Sequence, residues 1–453
     1  MAGWLLVLAA LAAPWIGGAQ TTLPNVRWWL GGALVFAFFL DLIDRLIAGR
    51  RLAISWSVGA SALFLLGCLG WWATQPEPHF STLFGGEHWE FLKQRYPRSI
   101  FQWPRIERLG FLACIVLGFL ATVDLGRREI FRRQLTLAIG VCGMVFALYA
   151  LGFAWLGFPA LPWVLIDGGT ERFNVCFAHY SGPPAMLNLA WPLLVFGATM
   201  RPAMLRWIAV VVLATAAMPL WDSAAGKSIA AGLLVAGVGW MWAAKRGWMT
   251  PGRVCTAVAA AFLVVFGGQW FVISQTQSRT PDHWVSAANS LIHAASNDAR
   301  LRELSGQRDD HLIASPASDR PVGWLSAFRM ALDYPLIGPG PGAWVKRSAL
   351  YTNDPFVNTF YLQRQYAHHD LLQFAAEWGG LATLAVLFLF LGGLLHGTSR
   401  NLVNPTADAG IVLALTGIAL HSTVDFPLQN PALQLWTALL LGLAWSRSKI
   451  GAS

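Results

Sequence analysis

Long apolar runs separated by short polar or basic connections dominate the chain, and this pattern predicts helices that cross a membrane. Val254 to Ile273 (VCTAVAAAFLVVFGGQWFVI) and Leu381 to Leu395 (LATLAVLFLFLGGLL) reach or approach the roughly 20 apolar residues that a helix needs to span a bilayer. Comparable runs recur at roughly 3–19, 28–48, 52–73, 108–125, 134–157, 185–200, 205–220, 229–244, 254–273, 371–396, 409–421 and 431–446, about twelve spans by the hydropathy criterion. The expected fold is therefore all-α, a polytopic membrane helix bundle. The N-terminal MAGWLLVLAALAAPWIGGAQ has the length of a signal peptide but not its basic opening, and it reads as the first membrane helix.

Arginine and lysine gather in the connections at Arg50-Arg51, Arg127 to Arg133, Arg201 to Arg206, Lys245 to Arg253 and Arg400, and in the tail Arg447 to Lys449. With an even number of spans these all fall on one face. The positive-inside rule makes that face, and with it both termini, cytoplasmic. The opposite face receives residues 74–107, 158–184, the turn Asp222 to Ser228, the long segment 274–370 and the turn near Asp425. The segment 274–370 is polar and patterned. Leu291 to Leu312 suits amphipathic helices, and Tyr334 to Gly342, with three prolines and three glycines among its nine residues, reads as a rigid turn. The expected organisation is a bundle of nine helices over 1–273, a partly helical outer loop domain over 274–370, and three closing helices over 371–453.

Composition agrees with lipid as the solvent. Of 453 residues, 56% are hydrophobic and 12% charged, with a mean hydropathy of +0.51, whereas soluble domains carry about 25% charged residues. Many of the 24 tryptophans, such as Trp28, Trp29, Trp71, Trp72 and Trp270, stand at the ends of apolar runs, where an interfacial aromatic belt places them. The net charge of +9 follows from basic cytoplasmic loops and does not argue for nucleic acid. The five cysteines are far apart and form no CxxC pair, so neither a zinc site nor a disulfide framework is expected.

Candidate chemistry concentrates where the long polar segment meets the apolar run after it, at AHHDLLQFAAEWG, residues 367–379. Histidine moves protons near neutral pH, and here a pair of them stands at a membrane boundary. If Asp370 opens the helix, His369, Gln373 and Glu377 follow at i, i+4 and i+8 on one face. A carboxylate that far into a membrane helix usually faces a polar cavity or a cation. The competing reading is an interfacial histidine pair without a role. Arg320, in Ser318-Asp-Arg-Pro-Val-Gly-Trp324, and Arg329 offer planar forks of donors suited to phosphate, though the same residues fit a solvated surface. Lys227 is the lysine of a GKS sequence that lacks the Walker spacing, so it reads as an outer-face cation. Arg172 and His179 lie in the expected outer connection 158–184 and are further candidates to line a cavity. His421 to Gln429 interrupts two apolar runs with polar groups. Asp425 in that stretch is expected to pair with an outer-face cation, and a proton-relay role as in transporters is the alternative. Asp309-Asp310-His311 lacks the further acidic ligands that a metal site needs.

Taken in chain order, these motifs resemble the O-antigen ligase and O-antigen polymerase superfamily of bacterial membrane glycosyltransferases. The likeness rests on Arg320 to Trp324, the Pro-Leu-x-Gly-x-Gly-x-Gly turn Pro335 to Gly342, His368-His369-Asp370-Leu371-Leu372-Gln373 with Glu377-Trp378-Gly379, and the late Asp425-Phe-Pro-Leu-Gln429. It covers about residues 165–445. The chain departs from the family pattern in two places, with His369 where the family carries Asn, and Lys227 where it commonly carries Arg. The resemblance implies that a glycan is transferred from an undecaprenyl diphosphate carrier to an acceptor hydroxyl, on the periplasmic face of the bacterial inner membrane, without metal, nucleotide sugar or other cofactor. It implies catalytic roles for His368, Arg320 and Lys227, and substrate contacts from Arg172, Arg329, His369, Gln373, Glu377 and His179. The implied acceptors are lipid A core, a growing glycan or a protein. A transporter or flippase of lipid-linked sugars is the alternative class.

Overall fold

The computed structural model describes residues 1–16, 26–75, 105–156, 182–196, 224–245, 316–351, 366–401 and 409–446. All regular elements among them are helical: α1 (Ala2–Trp15), α2 (Val26–Ile47), α3 (Trp56–Thr74), α4 (Arg105–Leu125), α5 (Glu129–Leu156), α6 (Gly182–Phe196), α7 (Ala224–Lys245), α8 (Pro316–Asp333), α9 (Asp370–Asn401), α10 (Ala409–Ser422) and α11 (Pro431–Trp445). Short helical turns occupy Trp344–Arg347, Ser348–Tyr351 and Pro427–Gln429. Among the described residues, four stretches, Trp56–Thr74, Arg105–Leu125, Glu129–Ala150 and Asp370–Thr398, are long and apolar enough to cross a membrane. Helices α1 to α7 and α9 to α11 coincide with expected spans. The expected spans at 205–220 and 254–273, and residues 274–315 and 352–365 of the expected loop domain, lie outside the described residues. Two expectations are adjusted. The first apolar helix ends at Trp15 and has 14 residues, short of the span expected over 3–19. Lys227 sits in the first turn of α7, which begins at Ala224, not in a tight turn.

Helices α6, α10 and α11 are apolar on all sides and almost wholly buried, which makes them the core around which the others stand. Helix α11 starts sharply because Asn430 Oδ1 accepts from Ala432 N at 3.0 Å and Leu433 N at 3.3 Å, with Pro431 at the first helical position. Its last carbonyls are covered by the buried Arg132 of α5, whose guanidinium donates to Leu443 O at 2.8 Å and to Ser446 Oγ at 3.0 Å. Helix α4 lies against α11 at Gly442, where a side-chain Cβ would meet Thr122 Cβ at 2.7 Å and Phe119 O at 2.9 Å. Close approach at small residues is how helices pack when lipid removes the hydrophobic drive between them. The outward faces of α2, α3, α5 and α9 carry exposed large apolar residues, among them Phe36, Leu63, Val145 and Leu384, as lipid-facing surfaces do.

Helix α9 differs from the single uninterrupted helix that its apolar run suggests. It breaks at Gly379, whose φ of 76° and ψ of 171° belong to a region open essentially to glycine alone. A break inside an apolar helix leaves peptide groups without partners, and the turn Pro335 to Gly342 supplies them. Gly340 N donates to Glu377 O at 2.7 Å and Gly338 N to Trp378 O at 3.1 Å, while Gly380 N and Leu381 N donate to Pro335 O and Leu336 O at 3.0 and 3.1 Å. The turn is held from its far side by Trp72 of α3, whose indole N–H donates to Gly338 O at 2.9 Å. No side chain fits at Gly338, since its Cβ would collide with the backbone of Glu377 and Gly379.

Candidate functional site

The break positions the upper end of α9, and the site is assembled there. Asp370 is the first residue of the helix, but its carboxylate reaches across to the stretch before α11. It accepts from Leu428 N at 2.8 Å and from Gln429 Nε2 at 3.0 Å. This fixes the turn that carries Asp425 and Phe426 beside the start of α9.

His368, two residues before the helix, has a φ of 54°, in the left-handed region that few non-glycine residues occupy. That conformation turns its carbonyl to accept from Trp324 Nε1 of α8 at 2.9 Å and presents its ring edge-on to Phe426, with centroids 4.8 Å apart. Phe426 is in turn stacked on Tyr366 at 3.8 Å. His368 Nδ1 stands 3.2 Å from Asp425 Oδ1, with the side chains 19% and 2% exposed. Asp425, expected to meet an outer-face cation, thus has a histidine partner 57 residues away in sequence. Its Oδ1 also accepts from Phe426 N at 3.1 Å. An ionised carboxylate only accepts; a neutral imidazole facing one through Nδ1 carries its proton there and its lone pair on Nε2, the arrangement of a base.

His369 points the other way. It is 4% exposed, its ring meets Trp324 edge to face at 5.5 Å, and its Nδ1 accepts from Leu372 N at 3.3 Å. Burial pushes its imidazole down to about 4 from an ordinary 6.5, so it is neutral across the physiological range. Gln373 and Glu377 follow on the same buried face. Gln373 Oε1 accepts from Ala367 N at 3.0 Å, and its Nε2 donates to Glu377 Oε1 at 3.3 Å. The Glu377 carboxylate accepts from Gly342 N and Trp344 N, both at 2.9 Å. The positive charge of Arg108 on α4 acts on it as well, and the guanidinium occupies the space that a side chain at Gly342 would fill. Gln373 thus joins the backbone beside His368 to Glu377, and Glu377 joins α9 to the turn that ends at Gly342. A narrow cleft lined by Arg108, Gly342, Phe374, Glu377 and Gln429 lies alongside.

The candidate cations are described unequally. Arg329, partly buried on α8, donates to Tyr351 O at 3.2 Å. Arg320 lies in α8 and Lys227 in α7, but their side chains lie outside the described residues, as do Arg172 and His179 entirely. No group of three or more His, Cys, Asp or Glu able to hold a metal occurs among the described residues.

No protein-family profile matches the chain, and no curated protein matches it. Sequence reasoning did not find the link between Asp425 and His368, although the interruption of two apolar runs at His421 to Gln429 marked the segment. Arg108 gave no signal beyond standing at the end of an apolar run.

Proposed function

We propose that this chain is a glycosyltransferase that moves a glycan from an undecaprenyl diphosphate carrier to an acceptor hydroxyl at the periplasmic face of the bacterial inner membrane, as its motifs imply. The observation that carries the reading is the contact between His368 and Asp425 at the head of a helix long enough to cross a membrane. In this reading His368 Nε2 takes the proton of the acceptor hydroxyl as its oxygen attacks the anomeric carbon of the donor sugar. The bond from that carbon to the phosphate oxygen breaks, and the diphosphate leaves on its lipid. Asp425 stabilises the imidazolium that forms. Arg320 and Lys227, with Arg172 or Arg329 in support, neutralise the leaving diphosphate.

The test is transfer by purified protein in detergent supplied with a lipid-linked glycan donor and an acceptor. Product from the parent chain and a loss of about 10²–10⁴-fold in His368→Ala, the usual range for removing a general base, is the expected outcome. A chain that moves lipid-linked sugars without forming product would be a transporter, and a His368→Ala protein with full transfer rate would remove the histidine from the chemistry.

A further inference from the structure

Large exposed apolar side chains on α9 occur at Leu381, Leu384, Phe388, Leu391 and Leu395. Steps of three and four residues place them in one stripe along the helix, and on a helix able to cross a membrane such a stripe faces acyl chains. Fourteen residues separate Leu381 from Leu395, a rise of about 21 Å at 1.5 Å per residue. The hydrocarbon core of a bilayer is about 30 Å thick. The polar run His396 to Asn401 follows Leu395 directly and sets the far boundary there, so roughly 9 Å of acyl layer on the side of His368 is left for some other surface to meet.

At that height α9 is broken, and the surface beside Leu381 is made by the turn that mends it. Leu336, whose carbonyl accepts from Leu381 N, is 62% exposed, and Ile337 is 49% exposed. One turn back along the chain, at the end of α8, Leu332 is 62% and Phe328 50% exposed, four residues apart on one face. The opposite face of α8 is occupied, since Ser326, Ala327 and Met330 are buried and the helix packs along α9.

We propose that Phe328, Leu332, Leu336 and Ile337 are seated among the lipid acyl chains of the leaflet on the His368 side, so that α8 is an interfacial helix and not part of a water-borne loop. The occupant is assigned by continuity, because the four residues extend the lipid-facing stripe of α9 without a gap at the hydrogen bond between Leu336 and Leu381. The depth they must cover, about 9 Å, matches the roughly 5–10 Å to which interfacial helices sink. The proposal depends on α9 crossing the membrane and not on the chemistry of the site, so its failure would leave the glycosyltransferase reading intact.

Two measurements on the full chain in phosphatidylethanolamine and phosphatidylglycerol vesicles test it. With the photoreactive residue p-benzoylphenylalanine at 328 or 332, illumination is expected to give phospholipid adducts as the main product by mass spectrometry. Crosslinks to residues 352–365 or to a second copy of the chain, or the absence of lipid adducts, would overturn it. A nitroxide at Leu336→Cys, read against the labelled parent as background, is expected to collide more often with oxygen than with a water-soluble nickel chelate. The opposite order would place the turn in water and overturn the proposal.

Discussion

Replacing Glu377 by alanine removes the acceptor for two buried backbone donors, Gly342 N and Trp344 N, each now bonded at 2.9 Å. A buried donor left without a partner costs about 1–3 kcal/mol, so the pair sets an expected loss of ~2–6 kcal/mol, before any contribution from Gln373 and Arg108. Unfolding entropy of about 2.1 cal/mol/K per residue, taken over 453 residues, is ~1 kcal/mol/K. The melting temperature should fall by about 2–6 °C on that scale. Glu377→Gln keeps one acceptor oxygen and loses the other, so its loss should be about half as large. A fluorogenic maleimide that reports the buried Cys68 and Cys142 as they become accessible on heating in detergent reads both variants. If Glu377→Ala melts within 1 °C of the parent, or if Gln and Ala are equally damaging, the carboxylate is not what joins the turn to α9.

Three further outcomes follow from the same geometry. Gly379→Ala, at a φ of 76° that only glycine adopts readily, is expected to cost at least ~1–3 kcal/mol in the same melting assay, and a neutral effect would mean that α9 can continue unbroken. Asp425→Asn should lower glycan transfer by ~10²–10⁴-fold with a melting temperature close to the parent's, because the amide can hold the imidazole in the wrong tautomer; unchanged transfer would make the contact incidental. His369 sets a pH dependence whose sign is fixed by its lowered value of about 4 against an ordinary 6.5. Below pH ~6.5 the unfolded chain binds a proton there that the folded chain refuses until about pH 4, so stability is complete above pH 6.5 and falls on acidification by up to about 3 kcal/mol. His369→Asn should be less sensitive than the parent between pH 7 and pH 4.5, and parallel melting curves for the two would disprove it.

The apolar runs were legible from the sequence because lipid demands length and composition, and α2 to α5, α9, α10 and α11 follow them to within a few residues at most ends. The rigid turn at Tyr334 to Gly342 was equally plain from its prolines and glycines. What the turn binds was not. Gly379-Gly380 sits in an apolar context that a helix tolerates, and only the carbonyls at 335 and 336 explain why the chain leaves the helix there. The candidate site was legible in part for a similar reason. Helical spacing puts Gln373 four residues before Glu377, and the two are hydrogen-bonded. Asp425 meets His368 only after α9 and α10 have packed side by side, a relation that no local pattern carries. The buried position of Arg108 likewise depends on Gly342 lying 234 residues further along the chain.

The mended break in α9 also ties together parts of the protein that are made at different times. The turn Pro335 to Gly342 is synthesised before the helix it completes, so its amides and carbonyls wait for Glu377 to Leu381 to arrive. Asp425 is made later still. His368 accordingly depends on two segments made after the turn, the part of α9 that is hydrogen-bonded to it and the carboxylate of Asp425 that faces the ring. A chain that ended before Asp425 would lack the carboxylate that faces the ring of His368.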